Sequence, residues 1–326
     1  MMRTTFYAQQ AANRRESVVL VIAVLALLAV LGFTIGYGTS GSTAGGVAVT
    51  LGALVLGALL SIGSYFGGDK LVLASSGAKE VDAQSAPQLV NVVQEMTIAA
   101  GVPMPRVYII DDTAPNAFAT GRDPNHASVA ITTGLLQKLD REELQGVLGH
   151  ELSHVRNFDI RFSLLVAVLV GSIALLADFF LRFTFWGGGR RSGGDRDKGG
   201  GGLAAILFIV AIVLAIVAPI VARFVQLAVS RQREYLADAS SVELTRNPQG
   251  LERALAKIAA DQEVLEVANR ATAHLYFTNP IKKFEQRANS MFSTHPPIVD
   301  RINRLRELTG EQPLAEGDVK ALAGLD

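Results

Sequence analysis

The apolar positions of this chain fall into two regimes. Four runs, at 18–35, 47–66, 162–181 and 203–224, approach the roughly 20 apolar residues that a helix needs to cross a bilayer. Elsewhere the pattern is that of a domain facing water. Residues 85–100 carry Leu89, Val93 and Met96 at helical spacing and stop before Gly101, a usual residue just past a helix end. Residues 106–110 read as a strand. Residues 116–121 and 127–133 read as a short hairpin, the second alternating small or polar residues with Val129 and Ile131. Then Leu144, Val147, Leu148 and Val155 recur at the interval of a buried helical face, and Asp140 and Glu143 have the D-x-x-E spacing of a capping box. A helix is therefore predicted to start at Asp140. A strand beside such a helix can pair its free edge with an extended peptide, or it is an ordinary structural strand.

Charge orients the apolar runs. Arg3, Arg14 and Arg15 precede the first run, and the Gly/Ser/Thr turn between the first two has no charge, which places the N-terminus in the cytoplasm. A cleaved signal with a faint twin-arginine look at 13–17 is the competing reading, but the apolar core is too long and a second run follows too soon. The third loop opposes the topology: Arg182, Arg190, Arg191, Arg196 and Lys198 outnumber Asp195 and Asp197 on the outer side. Lys70, Arg156, Arg161, Arg223, Arg231 and Arg233 add to the N-terminal arginines inside and outweigh it; a hairpin that enters the bilayer only partly is the alternative. Residues 186–202 form a Gly-rich linker, and Pro219 is expected to kink the fourth run.

A hydrophobic fraction of 49% supports a membrane protein, and zero formal net charge, without a basic stretch interleaved with aromatics, argues against a nucleic-acid partner. There is no cysteine. That excludes disulfides, a cysteine nucleophile and thiolate metal ligands, leaving His, Glu and Asp to hold any metal.

The chain has 5 histidines, and two of them, His150 and His154, bracket Glu151 in an H-E-x-x-H motif on the helix expected from Asp140. One turn apart, both imidazoles can reach one metal ion, while Glu151 stands beside them about 100° round the helix. This is the arrangement of a metal-activated water with a carboxylate base; the bland alternative is a coincidental amphipathic helix. A catalytic zinc takes one more protein ligand. The extended motif with a third histidine is excluded, because Asn157 and Ile160 stand where its glycine and histidine would be. Beyond the fourth run, Glu234 and Asp238 lie one helical turn apart, and two spans between them and His154 bring both segments out on the same side. On the residues alone, Glu234 is as well explained by a solvated helix carboxylate as by a ligand.

Together with the Asn-Ala-Phe-Ala at 116–119, His-Glu-Leu-Ser-His-Val-Arg-Asn-Phe-Asp at 150–159, Arg-Glu-Tyr-Leu-Ala-Asp at 233–238 and Ser-Thr-His-Pro-Pro at 293–297, the chain resembles the HtpX family. These are bacterial membrane zinc metalloproteases related to the CAAX prenyl endopeptidases. The resemblance covers nearly the whole chain. It implies an α+β membrane protein with four transmembrane helices and a gluzincin-type zinc domain, mostly helical with a small sheet. The expected order is a cytoplasmic segment 1–17, transmembrane helices 1 and 2 in 18–66, and a first part of the protease domain at 67–161. Transmembrane helices 3 and 4 with the Gly-rich loop follow in 162–224, then the second part of the domain at 225–326. The long third loop departs from the compact hairpin of the family.

The resemblance also implies roles: Zn2+ held by His150, His154 and Glu234, Glu151 as catalytic base, His295 stabilising the oxyanion and Asn116 near bound peptide. Asp238 matches an aspartate of the family, and a carboxylate there can fix the orientation of a ligand histidine; the bland alternative is a salt bridge to Arg231 or Arg233. His295, before Pro296, is on sequence alone better explained as a helix-capping residue. The implied activity is peptide-bond hydrolysis in damaged or misfolded membrane proteins at the inner membrane, with the active site facing the cytoplasm. A non-catalytic scaffold and a prenyl-protein endopeptidase are the competing functions.

Overall fold

The computed structural model describes residues 6–163, 209, 212, 213, 216, 233–261, 263, 277, 296–314 and 318–324. The chain divides into two compact units, one of Met1–Asn13, Phe66–Leu164 and Leu227–Asp326, the other of Arg14–Tyr65 and Leu165–Gln226.

α1 (Phe6–Ser40) and α2 (Thr43–Ser75) form a helical hairpin around Gly41, whose φ of 69° suits the turn; their Arg14–Tyr65 part lies in the second unit, and α2 from Phe66 onward belongs to the first. Both helices outrun their apolar cores. Thr43–Gly63 of α2 is long and apolar enough to span a membrane, and Leu25–Gly38 of α1 is a shorter apolar stretch. The two backbones touch where glycines permit it: a Cβ on Gly36 would lie 2.4 Å from the Gly45 carbonyl oxygen. Ser40 and Thr50 turn their hydroxyls back to the Gly36 and Gly46 carbonyls, so neither offers an unbonded polar group to an apolar surround. Nearly all of the third run, the Gly-rich linker and most of the fourth run lie outside the described residues.

The first unit is built on a four-stranded sheet in the order β1 (Lys79–Val81), β2 (Arg106–Ile110), β4 (Ala127–Thr132), β3 (Ala117–Gly121). β2 and β4 are parallel, while β3 and β4 form the antiparallel hairpin, Phe118 opposite Ala130 and Thr120 opposite Ser128. β3 therefore lies at an edge. Alternation sends Ala117, Ala119, Val129 and Ile131 to one face, where they pack with Leu148 and Leu152 of α5 (Arg141–Arg156) and Val92 and Met96 of α3 (Pro87–Ala100). The other face, with Tyr108, Ile110, Phe118 and Ala130, receives Val72 and Leu73 from the last turns of α2. The sheet is thus covered on both sides.

α3 begins at Pro87, two residues after the predicted Ser85, and closes at Gly101 in the left-handed conformation with its N–H on the Thr97 and Ile98 carbonyls. α4 (Thr133–Lys138) follows β4, capped by the Thr132 side chain. Beyond the second unit come the 233–245 helix, α6 (Pro248–Ala260), α7 (Ile298–Thr309) and α8 (Val319–Leu322). α6 packs against α5 so closely that a Cβ on Gly146 would meet the Leu251 backbone at 2.8 Å.

Candidate metal centre

α5 starts where the sequence places it. Asp140 is the N-cap: its carboxylate accepts the Glu143 N–H at 2.9 Å, and Glu143 returns the bond to the Asp140 N–H at 2.8 Å. Four and a half turns of apolar face then bury His150 and Glu151 completely and His154 largely. Two turns upstream, the Lys257 ammonium reaches buried Glu143 at 2.7 Å, tying α6 to the start of the same helix.

The 233–245 helix brings in the third donor. His150, His154 and Glu234 each present one ligand atom, all within 4.8 Å of one another. Glu234 lies 3.7 Å from His150 Nε2 and 3.5 Å from His154 Nε2. Outer nitrogens settle what faces inward. His150 Nδ1 is 2.8 Å from the Asp238 carboxylate and His154 Nδ1 is 3.1 Å from that of Asp159, so each Nδ1–H donates to a carboxylate. Both Nε2 atoms then point lone pairs at each other across 3.1 Å. Two lone pairs at that distance need a cation or a shared proton between them, and two imidazoles with a carboxylate suit a borderline divalent ion. The donor set fits a metal.

The supporting groups account for this geometry. Asp238 accepts both from His150 and from Arg301 of α7, at 2.8 Å from Nε and 2.6 Å from the second guanidinium nitrogen. Arg301 is fully buried; it also donates to the Phe277 carbonyl at 3.1 Å, lies over the Phe277 ring and comes within 3.6 Å of Glu234. Burial opposes the charge of Asp238, but Arg301 and the His150 N–H outweigh it and hold the carboxyl below its usual range. Burial drives His150 down to about 4, which keeps its imidazole neutral. Burial also works against a charged His154, yet Asp159 and Glu234 overcome it and raise that imidazole well above its usual value.

Asp159 follows a turn at Asn157 and Phe158, the latter with a left-handed φ of 62°, that breaks the helix before it resumes at Asp159. Arg233, stacked on Phe162, donates to its other oxygen at 3.1 Å. Glu151 faces β3, where the Ala119 N–H lies against its carboxyl; burial is the larger influence and pushes the group up to about 7. Asn116 is buried at the start of β3, its N–H on Thr132 Oγ1 at 2.9 Å and its side-chain oxygen on the Ala117 N–H at 3.0 Å. Phe277 donates its N–H to the Ala117 carbonyl at 2.7 Å and sets its ring edge against His150.

Thus His150, Glu151, His154, Glu234 and Asp238 come together, with Asn116 on the adjoining strand. His295 lies outside the described residues, as does His274, and His126 is an exposed partner of Asp123. Sequence reasoning missed Asp159, Arg233, Phe277 and Arg301. Arg301 did leave a signal: with Ile298, Ile302 and Leu305 it lies on the apolar stripe of α7, where an arginine needs a buried anion.

Comparison with known proteins identifies the family. The profile of Peptidase family M48 matches residues 83–309. The Protease HtpX homolog of Streptococcus uberis is 44% identical over 302 residues, covering 93% of this chain and 99% of that one. The homologs of Streptococcus thermophilus and Ligilactobacillus salivarius are 46% and 44% identical over the same shares. Among solved structures, Ste24p of S. mikatae is similar at 20% identity and a TM-score of 0.47, over 78% of this chain and 57% of that one. With the profile matching more than half of the chain and relatives alike over nearly the full length, the chain belongs to peptidase family M48 and is a metalloprotease.

Proposed function

We propose that this metalloprotease is a zinc-dependent endopeptidase of the cell membrane that cleaves damaged or misfolded membrane proteins. The observation that carries the reading is the pair of inward lone pairs on His150 and His154 beside Glu234, with buried Glu151 adjoining them. His150, His154 and Glu234 would hold the ion; nitrogen and oxygen donors without thiolate favour zinc. Bound there, zinc supplies Lewis acidity to a water and to the scissile carbonyl.

The chain's own groups do the rest. Glu151, at about 7, is poised to take a proton from the attacking water and return it to the leaving amine. Asp238 and Asp159 fix the imidazoles by holding their Nδ1 protons. β3 is the edge strand on which an extended peptide would lie, with Asn116 at its start, and such a peptide would displace the Asn116, Phe277 and Glu151 contacts now on the Ala117 and Ala119 backbone groups. His295, carried by the family resemblance alone, would stabilise the oxyanion.

We assign four transmembrane helices, two before residue 67 and two in 162–224, and a protease domain split between 67–161 and 225–326 on the cytoplasmic side. The apolar stretch Thr43–Gly63 and the arginine distribution support that topology. Casein cleavage by the detergent-purified protein, wild type beside Glu151→Gln, tests the mechanism when metal content is measured on both. One zinc per chain in both and cleavage only by wild type is expected. Equal cleavage, or no metal in freshly purified wild type, refutes it.

A further inference from the structure

The first two turns of the 233–245 helix serve all three candidate ligands. Glu234 and Asp238 are one turn apart, about 40° round the helix, so both face the centre: Glu234 belongs to the ligand set, and Asp238 accepts from His150 at 2.8 Å. Arg233 leaves the helix about 100° away from Glu234 and donates to Asp159 at 3.1 Å, and Asp159 in turn holds His154 Nδ1 at 3.1 Å. Each ligand imidazole thus has a carboxylate behind it and an arginine behind the carboxylate, Arg301 with Asp238 for His150 and Arg233 with Asp159 for His154.

The two arms are not equally secured. The His150 side chain is 1% exposed, with the Phe277 ring and Arg301 packed on it, whereas that of His154 is 15% exposed. Asp238 stands within a continuous helix, but Asp159 comes after the break at Asn157 and Phe158, so α5 does not by itself fix this carboxylate against His154. Arg233 supplies the missing constraint. Its guanidinium carbon lies 3.6 Å from the centre of the buried Phe162 ring, which leaves an N–H edge for the carboxylate. Arg233 and Asp159 are both buried, and there a charge-assisted bond is strong and directional.

We propose that Arg233 is a positioning residue for catalysis: through Asp159 it sets the orientation of His154, and because it adjoins Glu234 it places the second imidazole and the third ligand together. The proposal rests on the metal reading above. Removing the guanidinium leaves Arg301, Asp238 and His150 as they are and loosens the hold on the His154 ring. The ligand set then keeps two well-directed donors and loses the direction of one.

The full-length protein, purified in detergent and stripped of metal, is titrated with Co2+, whose visible absorption reports ligand geometry, and its zinc affinity is read by competition against a chelator. Arg233→Met should weaken zinc binding about tenfold and alter the cobalt spectrum, and casein cleavage should fall in kcat with KM kept. Arg233→Lys keeps an N–H donor without the planar stack on Phe162 and should recover part of the loss. Asp159→Asn approaches the same arm from its other end and leaves that stack in place, so it also tests the arm should Arg233→Met not fold. It too should weaken zinc binding, and the double variant should bind about as weakly as the weaker single one, because both changes act on one imidazole. Arg141→Gln, whose partner Glu95 ties α3 to α5 at the surface, should leave every readout unchanged. Variants that melt lower yet keep wild-type zinc affinity and cobalt spectrum, or a double variant that loses the product of both effects, overturn the proposal while the metal reading stands. If wild type binds neither ion, both fall.

Discussion

Replacing Arg301 by Met removes the only cation among the described residues in contact with Asp238 and keeps most of the side-chain volume. The guanidinium makes two charge-assisted bonds to that carboxylate, at 2.8 and 2.6 Å, with both residues buried. Stranding one member of a buried ion pair costs about 3–5 kcal/mol. At roughly 2–4 °C per kcal/mol for a domain of this size, the metal-free protein should melt about 10 °C lower. The ligand site should suffer as well. Losing a carboxylate's hold on a ligand histidine typically weakens metal binding 10–100-fold, so zinc competition against a chelator should show a drop of about tenfold.

The sign of the pH effect follows from the direction of the Asp238 shift. Its folded pKa is depressed, so its contribution is present above the ordinary carboxylate range and is lost as pH falls through the folded value. Without Arg301 the folded value rises, and that loss should occur at higher pH. Adding Asp238→Asn to Arg301→Met removes the stranded charge, so the double variant should be about 1–3 kcal/mol more stable than the sum of the single effects. Thermal unfolding and chelator competition on all four proteins measure this. Strict additivity, or Arg301→Met with wild-type melting and zinc affinity, refutes the buried clamp.

Other consequences can be checked independently. His154 is raised above its usual value in the metal-free site and must shed its proton to act as a ligand. Zinc binding should therefore release about one proton at neutral pH and tighten as pH rises, which calorimetry in buffers of different ionisation enthalpy reads directly. Glu151 is raised to about 7, so its ionisation works against folding as pH climbs from the ordinary carboxylate value through 7. Glu151→Gln should raise the melting temperature of the metal-free protein at pH 8 and barely change it at pH 5. Asp140→Ala removes the capping box and should cost about 0.5–2 kcal/mol with zinc stoichiometry kept. Gly146→Ala drives a Cβ into the Leu251 backbone, and about 1–3 kcal/mol of destabilisation is expected on thermal unfolding.

What the sequence disclosed was local. The helix of His150 and His154 could be read because its cap, apolar face and ligand spacing all lie between residues 140 and 156. Glu234 and Asp238 stood out because one turn separates them, and the β3–β4 hairpin because its strands adjoin. The parallel pairing of β2 with β4, with β3 pushed to the edge, had no local signature; it depends on which faces α3, α5 and the end of α2 cover. β1 is three residues long and exposed at its start, too short to show a period. Asp159 was in plain view, but its role depends on the left-handed turn at Phe158, a conformation that an aromatic residue seldom signals. Phe277 is recruited by hydrogen bonds to residues far away in sequence, Ala117 and Arg301, which no spacing rule reaches.

The division of the centre among distant segments has a consequence for how the protein is made. His150 and His154 leave the ribosome early, Glu234 and Asp238 about eighty residues later, and Arg301 later still. Until Glu234 has been synthesised, the growing chain has the two imidazoles without the carboxylate that groups with them, and hence no assembled three-donor cluster. A peptidase laid out in this order passes through biogenesis unable to cut neighbouring nascent chains or itself. It would need no removable inhibitory segment to be safe during that interval, because translation order supplies the delay.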